Sequence, residues 1–139
     1  MRLKISVPNR REHLGELLDA IDRALAEHAI AANARGDLRL IVEEVASNAM
    51  DHGLDAGERG PQQQILVDIA RSGARLLVEF RDTGRPFDPL SAPKPDLDAG
   101  TLDRRIGGLG VHLVRSLAES VSYTREEPYN ILRVVLPAH

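Results

Sequence analysis

The chain of 139 residues has no cysteine. Disulfides and thiolate metal sites are therefore excluded, which fits a reducing compartment. Lysine is almost missing: Lys4 and Lys94 are the only two. No run approaches the roughly 20 apolar residues that span a bilayer, so no membrane segment is expected. The opening stretch "MRLKISVPNRREH" lacks the long apolar centre of a signal peptide, and a cytoplasmic protein is expected. There is no charge excess of either sign worth the name. The formal net charge is -3, with arginines and carboxylates interspersed, so the basic face of a nucleic-acid binder is absent and no nucleic-acid partner is expected. What remains is 42% apolar and 28% charged residues, the balance of one soluble domain with a substantial core.

"RLKISVP" alternates Leu3, Ile5 and Val7 against polar partners and reads as a strand. Asn9 with Glu12 three residues later matches a capping box, opening a helix through Leu14, Leu17, Leu18, Ile21 and Leu25 to about Ala29. "NARGD" predicts a break, after which Asp37 caps a second helix ended by Gly53. "QILVDIA" and "ARLLVEFRD" flank "RSG" as a hairpin. Gly84 to Ile106 holds four prolines, which predicts no regular element. A loop of that length is usually functional, for instance a lid, and a disordered insertion is the other reading. A third helix runs through Leu109, Leu113, Leu117 and Ala118, before strands "SVSYTR" and "NILRVVL" joined by "EEPY". Strands in consecutive pairs predict an α+β domain over 1–139: two layers, with a mixed, mostly antiparallel sheet of about five strands and three helices on one face.

Three stretches carry chemistry. At about 100° per residue, the second helix sets Leu38, Ile41, Val42, Val45 and Ala49 on one stripe. Glu44, Asn48 and His52 lie along one border of that stripe, and Glu43 falls near the opposite one. One reading is a solvated edge with an ordinary i,i+4 hydrogen bond between Glu44 and Asn48. The other needs a cleft beside the row, where a carboxylate serves as a general base and an amide oxygen ligates Mg²⁺. "EFRDTGRPFDP" then puts Asp82 at the end of an apolar strand with Gly84 two residues on. That is either a plain turn or an acceptor for the exocyclic amine of adenine, with glycine admitting the ring close to the backbone. Asp-Thr-Gly is also the aspartic-protease signature, but Arg85 follows it here and three long helical patterns do not suit those β-rich enzymes. In "RIGGLGVHL", glycines precede a helix whose first N–H groups would face an anion. No Lys-Ser or Lys-Thr follows, so this is not a P-loop, and Leu113 occupies the last glycine position of G-x-G-x-x-G. Arg104 and Arg105 are the nearest basic groups.

In their order and spacing, "EEVASNAMDHG", "DTGRPFD" and "GGLG" resemble the N, G1 and G2 boxes of the GHKL ATPase superfamily, which groups gyrase, Hsp90, histidine kinases and MutL. "NAMDHG", "DTGRPFDP" and "GGLGVHLVRSLAESVSY" are most similar to the anti-sigma-factor serine kinases of the RsbW and SpoIIAB type, and the likeness covers nearly the whole chain. A histidine kinase would place a phospho-accepting histidine in a helical hairpin; His13, followed by Leu-Gly-Glu, does not match. The resemblance implies a Bergerat ATP-binding fold with an ATP lid at about 84–107. It implies Glu44 as general base toward a protein serine, Asn48 as the Mg²⁺ ligand, and His52 in the same box. It implies Asp82 and Gly84 at the adenine, Gly108 and Gly110 along the phosphates, and Gly107 as lid hinge. Phe87, Leu109 and Arg105 join the nucleotide-contacting set, with Ile106 standing between Arg105 and the glycines. The implied activity is an ATP- and Mg²⁺-dependent serine/threonine kinase and anti-sigma factor of a partner-switching pathway. Its implied substrate is a STAS-domain anti-sigma-factor antagonist, and it would also bind a sigma factor or another regulated protein. A homodimer is implied too, for which the exposed face of the first strand and helix offers a place. The alternative is a non-catalytic nucleotide-sensing module that sequesters a regulatory partner.

Overall fold

The computed structural model describes residues 1–52, 63–86, 88–91 and 108–139, with backbone alone at 52, 91 and 108–111. Five strands, β1 (Arg2–Pro8), β2 (Gln64–Ser72), β3 (Arg75–Asp82), β4 (Ser120–Glu126) and β5 (Tyr129–Pro137), form one sheet in the order β1-β2-β3-β5-β4. All four pairings are antiparallel, so the sheet is not mixed. β2–β3 and β4–β5 are tight hairpins, while the longer β1–β2 and β3–β4 connections carry the helices.

Alternation along the strands sorts residues onto two faces. The register aligns Ile5, Val67, Phe80, Leu132 and Tyr123 across the sheet on one side. Three helices cover that side: α1 (Leu14–Glu27), α2 (Ala32–His52) and α3 (Gly108–Leu117). α1 buries Leu17, Leu18, Ile21 and Leu25, and α2 buries Ala34, Leu38, Ile41, Val42, Ala46 and Met50. Burying a leucine or isoleucine side chain contributes roughly 1.5–3 kcal/mol, so this stripe, not helix propensity, holds α2 in place. The other face of the sheet is polar. There Arg2 pairs with Asp68 at 2.9 Å, while Glu79 receives Arg133 at 2.9 Å and Arg81 at 3.1 Å. Among the described residues, no helix is long and apolar enough to cross a membrane.

Four local expectations are corrected. α2 starts at Ala32, so "NARGD" lies inside it and Asp37 is not its cap. Buried Ile30 and Ala34 continue the apolar stripe upstream, and the chain breaks instead at Ala29, in the left-handed region with φ 58°. Gly36 lies inside this helix with open surroundings, no described heavy atom coming within 4 Å of an added Cβ, so nothing at the position demands glycine. The Asn9–Glu12 capping box does not form. Asn9 prolongs β1, its N–H donating to the Gln63 carbonyl at 2.8 Å, and its buried side chain has no partner among the described residues. A 3₁₀ turn at Arg11–His13 precedes α1 instead. On α2, Val45 and Ala49 are only partly buried, and Ala46 and Met50 take their place in the core. Within the proline-rich stretch, Pro89–Ser91 forms one 3₁₀ turn, because the Asp88 carboxylate accepts the Leu90 N–H at 2.8 Å.

Candidate nucleotide site

Val45 and Ala49 are not fully buried because they border a cleft. Glu44, Asn48, Phe80, Asp82, Leu90 and Val114 are among the residues that line it. Tyr123, Asn130 and Leu132 continue its sheet side. The cleft is apolar on its walls and carries a few polar groups, the lining pattern of small-molecule sites.

Helical periodicity explains one wall. Glu44 and Asn48 are one turn apart beside the core stripe, so both reach the same opening, whereas Glu43 is exposed. The ordinary i,i+4 hydrogen bond between them is not made. Among the described residues, neither side chain has a hydrogen-bond partner, and both line the cleft. Loss of water, with the charge of Glu43 adding to it, pushes the Glu44 carboxyl above the usual carboxylate range.

Strand periodicity explains the other wall. Leu76, Val78 and Phe80 face the helices, and the next position in that alternation is Asp82. The register then aligns Val7, Ile65, Asp82, Asn130 and Arg125 along the last row of the sheet. Asp82 Oδ1 accepts the Gly84 N–H at 2.9 Å and Asn130 Nδ2 at 3.0 Å. Burial raises the Asp82 carboxyl above its ordinary range; the bonds from Asn130 and Gly84 and the charge of Arg125 pull the other way. Gly84 is buried and closes this turn, its carbonyl accepting Arg125 Nη1 at 2.7 Å; it is not among the cleft-lining residues.

The third motif opens α3, which begins at Gly108. Gly108, Leu109 and Gly110 thus form its first turn, and Val114, one turn further on, lines the cleft. Arg115 Nη2 donates to the Leu90 carbonyl at 2.8 Å, tying the Pro89–Ser91 turn to the same helix. His52 ends α2, and its side chain lies outside the described atoms, as do Phe87, Arg105 and Gly107 entirely. The structure therefore brings Glu44, Asn48 and Asp82 to one cleft. Sequence reasoning missed Leu90, Val114, Tyr123 and Asn130. Asn130 had a signal: a polar residue at a core-facing place in the apolar run "NILRVVL".

A metal ion fits only with shared ligands. Among the described residues, no group of three or more His, Cys, Asp or Glu side chains could hold one. Asn48 offers a single unengaged amide oxygen, which suits Mg²⁺ because that ion takes few protein ligands and completes its shell with phosphate oxygens and water.

A family model described as a histidine kinase-like ATPase domain matches residues 7–136. The serine/threonine-protein kinase BtrW of Bordetella bronchiseptica is 26% identical over 73% of this chain and 70% of its own. The serine-protein kinase RsbW of Listeria monocytogenes is 26% identical over 94% of this chain and 84% of its own. Among solved structures, the RsbU and RsbW domains of Rv1364c from Mycobacterium tuberculosis superpose with a TM-score of 0.69 at 14% identity. That match covers 98% of this chain and 32% of the solved one, so this chain spans about a third of that protein and shares its fold.

Proposed function

The chain belongs to the histidine kinase-like ATPase domain family, and on that footing we propose that it is an ATP-dependent protein serine/threonine kinase and anti-sigma factor of a partner-switching pathway. The observation that carries the reading is Glu44: a carboxylate with no hydrogen-bond partner among the described residues, beside Asn48, in the same cleft as Asp82. The kinase names of BtrW and RsbW support it.

In this reading the adenine lies in the apolar cleft with its exocyclic amine donating to Asp82. The first turn of α3, Gly108 to Gly110, directs N–H groups to the phosphates, and Asn48 holds Mg²⁺. The metal, when bound, supplies neutralisation of phosphate charge. Glu44 takes the proton from a serine hydroxyl of the bound partner as that oxygen attacks the γ-phosphorus, and the bond to the bridging oxygen breaks to release ADP. Such transfer depends on positioning more than on covalent chemistry, so a small site suffices. The protein substrate is a STAS-domain antagonist, a sigma factor or other regulated protein is the second partner, and the kinase works as a homodimer. Gly107 hinges the lid, with Arg105, Phe87 and His52 completing the nucleotide contacts.

The test is phosphate transfer from labelled Mg-ATP to the cognate antagonist. Wild type is expected to label one serine, and Glu44→Ala to lose that labelling while still binding ATP. Absence of labelling in wild type, with ATP bound, refutes the kinase and leaves a nucleotide-sensing module.

A further inference from the structure

Two polar side chains are buried among the described residues, Asn9 and Asn130, and they differ in kind. Among the described residues the Asn9 side chain has no partner, whereas Asn130 is engaged at both ends of its amide. Its Nδ2 donates to Asp82 Oδ1 at 3.0 Å and to the Arg85 carbonyl at 2.8 Å, and its Oδ1 accepts the Tyr123 hydroxyl at 2.5 Å. Two acceptors on one side and a hydroxyl on the other fix which end of the amide is which.

The consequence falls on Asp82. Its Oδ1 already holds two donors, Asn130 Nδ2 and the Gly84 N–H at 2.9 Å. Among the described residues, no donor reaches its Oδ2. The Gly84 carbonyl is held in turn by Arg125 Nη1 at 2.7 Å, so β4 and β5 brace the whole turn that carries the aspartate. A carboxylate free to turn about its side-chain bonds would otherwise offer either oxygen in many directions. Clamped by one oxygen, it offers the second in one.

We infer that Asn130 is a positioning residue for base recognition: by clamping Oδ1 it leaves Oδ2 of Asp82 as the single, oriented acceptor for an exocyclic purine amine, so purine selectivity depends on Asn130 although it need not touch the base. The inference rests on the nucleotide-binding reading above.

Calorimetric binding of ATP and of purine riboside triphosphate, which lacks the 6-amino group, tests it. A hydrogen bond to a charged acceptor predicts that wild type prefers ATP by about tenfold or more. Asn130→Ala is expected to bring that ratio to within about twofold of unity, chiefly by weakening ATP. A role confined to packing would weaken both nucleotides alike and keep the ratio, which would overturn the inference. Should Asn130→Ala fail to fold, Tyr123→Phe decides: it removes one hydroxyl, and the ratio is expected to fall at least about twofold, an unchanged ratio again overturning the inference. If wild type binds both nucleotides equally, Asp82 does not read the amine and the inference fails while the nucleotide site stands. If wild type binds neither, the site reading itself fails and takes the inference with it.

Discussion

Asp82→Asn separates what the aspartate does for the fold from what it does for a ligand. The substitution keeps shape and an oxygen able to accept the Gly84 and Asn130 donors, now at 2.9 and 3.0 Å. The other atom changes from acceptor to donor and opposes the adenine amine. A hydrogen bond to a charged group contributes about 1.5–3 kcal/mol, so ATP affinity is expected to fall about 10- to 150-fold. Inosine triphosphate, with a carbonyl in place of the amine, is expected to lose less or to gain. Stability without nucleotide moves the opposite way. Burial raises the folded-state pKa of Asp82 above its unfolded value, so the native state binds the proton more readily than the unfolded chain. Any stability this group contributes is present at low pH and lost as pH rises through the folded value. Asparagine has no such proton to lose. The variant is therefore expected to melt higher than wild type at pH 7 and to show no advantage below about pH 4, where aspartate is protonated in both states. Isothermal titration and thermal melts at the two pH values measure both effects. An unchanged ATP affinity would refute the adenine assignment, and a lower melting temperature at pH 7 would refute the claim that the buried charge costs stability.

Two further outcomes are expected. Transfer of phosphate should fall as pH drops through a value above the ordinary glutamate range, because desolvation and Glu43 raise the Glu44 carboxyl and the protonated acid cannot take a proton; a rate profile from pH 4 to 8 shows the limb, and Glu44→Gln should abolish it together with about 100-fold or more of the rate. Gly36→Ala should stabilise the protein by about 0.5–1 kcal/mol, roughly 3 °C in melting temperature, since the glycine is helical and a methyl there meets nothing within 4 Å; destabilisation would mean that the helix does start after Asp37.

Periodicity made most of the architecture legible. Alternation in "QILVDIA" and "ARLLVEFRD" and the apolar spacing of the helices predict the five strands, three helices and their layering, because each reports which side of an element is buried. The border row of Glu44 and Asn48 was legible for the same reason. Local signals misled where tertiary packing outweighed them. Gly36 and Asp37 read as a break, yet Ala34 and Leu38 bury the same turn and hold it helical. Asn9 read as a cap, yet β-pairing with Gln63 claimed its backbone. Asn130 and Tyr123 stayed hidden because their role comes from register: Asn130 faces Asp82 from 48 positions further along the chain, and no spacing rule encodes that partner.

The strand order carries a consequence for the birth of the protein. β3, which ends in Asp82, is flanked by β2 and by β5, the last of these five strands in chain order. Every motif with a recognisable sequence lies upstream of Asn130, yet the aspartate's clamp, and the hydrogen-bonded edge of its strand, arrive only with the β4–β5 hairpin. A nascent chain displaying all three motifs would thus have an open edge beside Asp82. In the nucleotide-binding reading, ATP favours folding only after β5 has left the ribosome, and a chain cut short before residue 129 is expected to keep every motif and bind no nucleotide.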